Sequence, residues 1–119
     1  MGRKQQIQPF KCIENGNLSS ASITGIETTV AQTDVVQYEV EWSGASLTSG
    51  DISVQATLDG VSWFNLDFGT TISLAGAAGN HQIIIKQVSF IKTRLIYTRT
   101  NPSATGSLNV TVFATTVGA

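Results

Sequence analysis

The 119 residues hold one histidine, His81, and one cysteine, Cys12, the side chains through which nucleophilic, general-base or zinc chemistry would ordinarily run. His81 follows the Gly-rich stretch Ala75 to Gly79 and has no Asp or Glu near it in sequence to orient an imidazole as a base, so it reads as a solvated loop histidine. One His and one Cys cannot close a tetrahedral zinc site, and no Asp-x-Asp-x-Asp calcium loop occurs. The expectation is a chain that is not an enzyme, with no catalytic residues, no metal ligands and no cofactor.

Two other sets of residues invite chemistry. Glu39 and Glu41 stand two apart on one face of an expected strand and as a carboxylate pair invite acid/base work, but a solvated outer face explains them with nothing further. Trp42 and Trp63 are candidate platforms for stacking on a sugar ring. Trp42 alternates with the glutamates and so reads as core, which leaves Trp63 as the candidate ligand-stacking residue. Arg94 and Arg99 could bridge carboxylates at an interface, although pairing with a neighbouring strand is commoner. Asn17-Leu18-Ser19 and Asn109-Val110-Thr111 match a glycosylation acceptor pattern that matters only in an exported chain.

What must position these residues is a single module, since the length suits one core and no second ordinary domain. Hydrophobic residues are 41% and charged residues only 13%, against roughly 25% charged in typical soluble domains. The surface must therefore be Ser, Thr, Asn and Gln, and a Thr-rich, β-branched composition with 11 glycines favours strands and turns. A net charge of −1 argues against a nucleic-acid or acidic-membrane partner. The charges are segregated: the acidic residues run from Glu14 to Asp67 with no Lys or Arg between them, and the basic ones are Arg3, Lys4, Lys11, Lys86, Lys92, Arg94 and Arg99. Acidic and basic strands pairing inside one fold would account for this, and so would contacts between unlike ends of neighbouring copies. A lone cysteine rules out an intramolecular disulfide, no apolar run is long enough to span a bilayer, and the Gln-rich start is unlike an export signal.

Along the chain, Arg3 to Ile13 is polar with scattered apolar residues and contains Pro9, which suits an extended arm or an edge strand. Residues 1–18 are read as that arm or edge strand and 19–119 as the sandwich domain. Asn15-Gly16 signals a tight turn. From Val36 to Trp42 every even position is apolar and every odd one polar, and Ile52, Val54, Ala56 and Leu58 repeat the pattern, predicting strands with one buried face. Asp59-Gly60 should close a hairpin onto Val61 to Leu66, with Trp63 and Leu66 capping the core. A short strand around Ile72 and Leu74, a strand from Gln82 to Val88, and a final hairpin of Thr93–Thr100 with Ser107–Thr115 complete seven or eight strands, with no credible helix. The expected fold is an all-β, single-domain antiparallel β-sandwich, a jelly roll, with an extended N-terminal arm.

Three segments carry a resemblance. Val54-Gln55-Ala56-Thr57-Leu58-Asp59-Gly60-Val61-Ser62-Trp63, then Thr93-Arg94-Leu95-Ile96-Tyr97, then Thr105-Gly106-Ser107-Leu108-Asn109-Val110-Thr111-Val112 resemble short discoidin-like, galactose-binding-type jelly-roll modules of phage virion structural proteins. With the Ser22 to Trp42 strands the likeness spans most of the chain apart from the arm. It implies the jelly roll and a virion setting. The larger discoidin family commonly binds sugars or lipid headgroups through extended loops and often has cysteines near both ends, whereas this chain has brief loops and one Cys.

The function expected from this reading is that of a phage virion structural protein, assembled in the host cytoplasm, which decorates or cements a capsid. A tail, neck or baseplate component is the alternative, and a carbohydrate-binding adhesin module the alternative of another class. Expected partners are the major capsid protein or tail and neck proteins, further copies of the chain as a homo-oligomer, no nucleic acid and no membrane, with a glycan as the lesser option. Arg3, Lys4, Ile7 and Phe10 are the candidate subunit-docking residues, because Ile7 and Phe10 suit neither a core nor a free tail.

Overall fold

The computed structural model describes residues 6–31, 33–45, 48–69, 71–86 and 88–115, and of residues 6–8 the backbone alone. Period-2 alternation produces strands throughout, because each strand can bury one face only. Ten strand segments are formed among the described residues: β1 Gln6–Asn17, β2 Ser22–Thr24, β3 Thr28–Thr29, β4 Val35–Ser43, β5 Gly50–Thr57, β6 Trp63–Asn65, β7 Ile72–Ser73, β8 Gly79–Lys86, β9 Lys92–Arg99 and β10 Ser107–Thr115. No helix occurs among them.

All pairings are antiparallel and build two sheets, one ordered β1-β10-β4-β8 and the other β2-β9-β5-β6, with β3 also on β9 and β7 also on β5. Because β5 occupies one side of β9 over its whole length, β2 and β3 must share the other. Likewise β6 and β7 share the remaining side of β5. Each of these pairs is one interrupted strand, so the segments reduce to two four-stranded sheets with the first and last strands adjacent. That is the jelly roll expected from the sequence.

The core lies between the sheets. Val36, Tyr38, Val40 and Trp42 of β4 and Leu108, Val110, Val112 and Ala114 of β10 are buried on one side, opposed by Ile52, Val54 and Ala56 of β5 and Leu95 and Tyr97 of β9. Two hydroxyls tie the layers together. Tyr38 Oη lies 2.6 Å from Thr93 Oγ1, and Tyr97 Oη donates to the Leu18 carbonyl at 2.8 Å. The Trp42 indole N–H donates to the Ala75 carbonyl, and its ring packs so closely on Gly79 that a Cβ there would lie 2.6 Å from it.

Three local expectations are corrected and one is met. Asn15-Gly16 makes no hairpin; Asn15 has φ of +51° and lies at a register shift inside β1, so the pair forms a bulge of the kind that tolerates left-handed backbone. Leu58 is 64% exposed, because β5 ends at Thr57 and the chain turns before its alternation can continue. The Asp59-Gly60 hairpin is present, its Oδ1 accepting the Val61 and Ser62 N–H groups, which hold the carboxyl below its ordinary value. Finally, β9 and β10 are no hairpin, since they lie in different sheets. Residues 100–106 cross the sandwich, fastened by Thr100 and Asn101 N–H to the Ser49 carbonyl and by Leu18 N–H to the Gly106 carbonyl. A strand opposing another across the core and a strand beside it have the same alternation, so periodicity could not distinguish them.

Candidate functional site

Of the arm and the edge strand that the opening residues allow, Gln6–Asn17 form the edge strand. Ile7 pairs with Ala114 and Phe10 with Val112, and Phe10 is half-buried against the core. The apolar residues looked too sparse for a core strand because three register shifts interrupt their alternation; one of them lets the consecutive Cys12 and Ile13 both be buried. Arg3 and Lys4, with the side chain of Ile7, lie outside the described residues.

Trp63 does not cap the core. It stands opposite Thr57, whose neighbours Ala56 and Val54 set the inward positions, so Trp63 lies half-buried on the outer face of its sheet. There the Arg94 guanidinium sits 4.1 Å from the indole centroid, a cation–π stack. A second row holds it in place: Arg94 Nε donates to Gln55 Oε1 at 2.9 Å, and Gln55 Nε2 donates to Asn65 Oδ1 at 3.1 Å. Arg94, Gln55 and Asn65 are direct cross-strand neighbours on β9, β5 and β6. Thr57, though on the outer face, is fully buried, and its hydroxyl is engaged by Asp59 and the Gly60 N–H. The guanidinium therefore occupies one face of the indole, and a sugar stacking on that face would have to displace it. Leu66, the other expected cap, does pack against the core.

The outer face of the other sheet carries the carboxylates. Glu39 and Glu41 are exposed, and their rows are Thr111-Glu39-Gln82 and Asn109-Glu41-Asn80. Acidic β4 is thus flanked by hydroxyls and amides rather than by basic strands, and neither glutamate has an ion pair among the described residues. An ion pair on the other sheet, Lys92 with Glu27 at 3.6 Å, is exposed and contributes little. Arg99 instead donates to the Ser19 carbonyl.

His81 lies on β8 rather than in a loop, and it is exposed. It lines a groove of about 350 Å³ together with Phe68, Ile72, Ile83 and Ile84. One irregularity alone hinted at this groove in the sequence: in the run Ile83-Ile84-Ile85 the middle residue must face outward, and it is 50% exposed. No group of three or more His, Cys, Asp or Glu side chains that could hold a metal ion is found among the described residues, and no helix is long and apolar enough to cross a membrane.

Cys12 is free and buried. Burial pushes its thiol up to about 11, against smaller opposing hydrogen bonds to its own backbone and that of Ile13. Since the thiolate is the reactive form, native protein at neutral pH is expected to leave Cys12 unlabelled by iodoacetamide while urea-unfolded protein labels readily. Mass spectrometry of the intact chain checks this, and equal labelling in both states would contradict the burial.

No protein-family model matches the chain, and no curated protein matches it by sequence. Solved structures share its fold. The SPBc2 prophage-derived protein YomS superposes with a TM-score of 0.60 at 17% identity, over 98% of this chain and 97% of that one. A chain of infectious bursal disease virus, Gx strain, superposes with a TM-score of 0.59 at 11% identity, over 99% of this chain and 33% of that one. At such identities the likeness is one of fold: it supports the jelly roll and leaves the discoidin-like resemblance as a matter of sequence alone.

Proposed function

We propose that this chain is a structural protein of a phage particle and that it acts by docking on other particle proteins. The observation that carries the reading is the end-to-end agreement with a prophage-derived protein, in which each fold covers nearly all of the other chain. A virus chain containing the same jelly roll within a longer polypeptide is consistent with it. The finer proposal is capsid decoration or cementing. A protein that binds only the assembled lattice raises the free energy of disassembly by mass action, and a small sandwich that exposes two sheet faces suits many repeated, individually weak contacts.

Docking would use the sandwich faces together with the N-terminal residues Arg3 and Lys4. Purified particles analysed by quantitative mass spectrometry test the role. Decoration requires copy numbers comparable to those of the major capsid protein, a few copies per particle would indicate tail, neck or baseplate instead, and absence from particles would refute the proposal. Deletion of residues 2–5 spares every described strand residue, and is expected to reduce incorporation while preserving the β-sheet circular-dichroism spectrum.

A further inference from the structure

The β1-β10-β4-β8 sheet ends in two edges of different character. Natural sheets blunt exposed edges with bulges, prolines and charges to prevent unwanted pairing. The β1 edge has these guards: three register shifts, Pro9, Lys11 and the left-handed Asn15. The β8 edge lacks bulge and proline. It pairs with β4 without a shift over eight successive residues, from Val35 opposite Lys86 to Trp42 opposite Gly79. On its other side no strand lies among the described residues, so alternate N–H and C=O groups point outward as a template for another strand.

Apolar surface accompanies this open edge. Ile84 is 50% exposed on the outer face and Phe68 is 36% exposed beside the groove that runs along Ile83 and Ile84. We propose that two copies of this chain pair through β8, antiparallel about a two-fold axis at Ile84, joining their four-stranded sheets into one continuous sheet. Such an axis, perpendicular to the sheet, keeps outward residues outward, so residues of equal parity must face one another. Placing it at Ile84 sets the two Ile84 side chains together and puts Lys86 of the second copy opposite Gln82. Gln82 lies in register with Glu39, and neither Glu39 nor Lys86 has an ion pair within its own chain among the described residues. The register that covers the exposed isoleucine therefore also brings each unpaired lysine within reach of an unpaired glutamate, twice, by symmetry.

Light scattering coupled to size exclusion tests the interface on the purified chain, with twice the 12.6 kDa monomer mass expected. Ile84→Lys sets two cations on the axis and is expected to give a monomer with an unchanged circular-dichroism spectrum, since the side chain is already half exposed. Glu39→Lys and Lys86→Glu should each weaken dimerisation at least tenfold, and the double exchange should restore it, a recovery that a merely structural effect would not produce. Ile84→Cys should form a disulfide-linked dimer on mild copper–phenanthroline oxidation, whereas Val61→Cys, at an 80% exposed position elsewhere, should not. A monomeric wild-type protein, a folded Ile84→Lys variant that remains dimeric, or a charge exchange without recovery overturns the β8 interface. None of these outcomes bears on incorporation into particles, which is read separately by mass spectrometry.

Discussion

Leu95→Ala is expected to lower the free energy of unfolding by about 3 kcal/mol, within the range of about 2–5 for buried leucines. Leu95 is fully buried near the middle of β9, and its surroundings cannot easily collapse into the space left behind. On one side its strand is bonded to β5, with Val54 directly opposite. On the other, the Gly25 N–H donates to the Leu95 carbonyl at 2.8 Å. Both flanks being pinned, the cavity persists and its cost adds to the lost burial of the side chain. Urea denaturation followed by tryptophan fluorescence should show a lower midpoint with an unchanged slope. Leu58→Ala is the matched control: Leu58 continues the same alternation in sequence but is 64% exposed, and its truncation should stay within about 0.5 kcal/mol of wild type. Comparable losses from both would mean that β5 extends beyond Thr57.

Tyr38→Phe is expected to cost about 1–3 kcal/mol, because it strips the Thr93 hydroxyl of its partner in a site without solvent. Both residues are 0% exposed and their oxygens lie 2.6 Å apart, one on each sheet. Thr93→Val should cost a similar amount by stranding the phenol. The double variant, which removes both polar groups, should lose clearly less than the sum of the two, and the shortfall measures the inter-sheet bond. Strict additivity would show that the two hydroxyls do not depend on one another.

The same burial has a signature in alkaline solution. Burial raises the Tyr38 phenol far above the ordinary value near 10, opposed in part by the Thr93 hydrogen bond, and raises Tyr97 too, with Arg99 opposing. The folded protein therefore keeps protons that the unfolded chain releases. The contribution is complete below the ordinary tyrosine value and is lost progressively as pH rises above it.

The resemblance to short discoidin-like modules and the solved structures agree on the jelly roll and on nothing finer. What distinguishes this chain is the distribution of side chains over its two outer faces and its two unequal edges. The stacked Arg94 and Trp63 form a partly desolvated feature on one face, while Glu39 and Glu41, which have no ion pair among the described residues, leave the other acidic. Those surfaces, more than the core, decide which neighbours the molecule can accept.

Much of this architecture was legible before any coordinates. The strict alternation of β4, β5 and β10 named their buried faces, since a strand residue's side is fixed by parity alone, and Asp59-Gly60 named its hairpin because few residue pairs tolerate that turn. The candidate site was far less legible. Trp63 reads as a core plug until the register places it opposite outward-facing Thr57, and the outward Ile84 is seen to lie on an edge strand only once the pairing puts β8 at the end of its sheet. Gln6–Phe10 read as a possible arm because bulges erase alternation in an edge strand. The sequence by itself determined which residues turn inward and where the chain must bend, because those choices depend on local geometry and hydrophobicity. Only the tertiary structure decided which strands lie side by side, which oppose one another across the core and which edge stays open, because those depend on contacts between residues far apart in the chain.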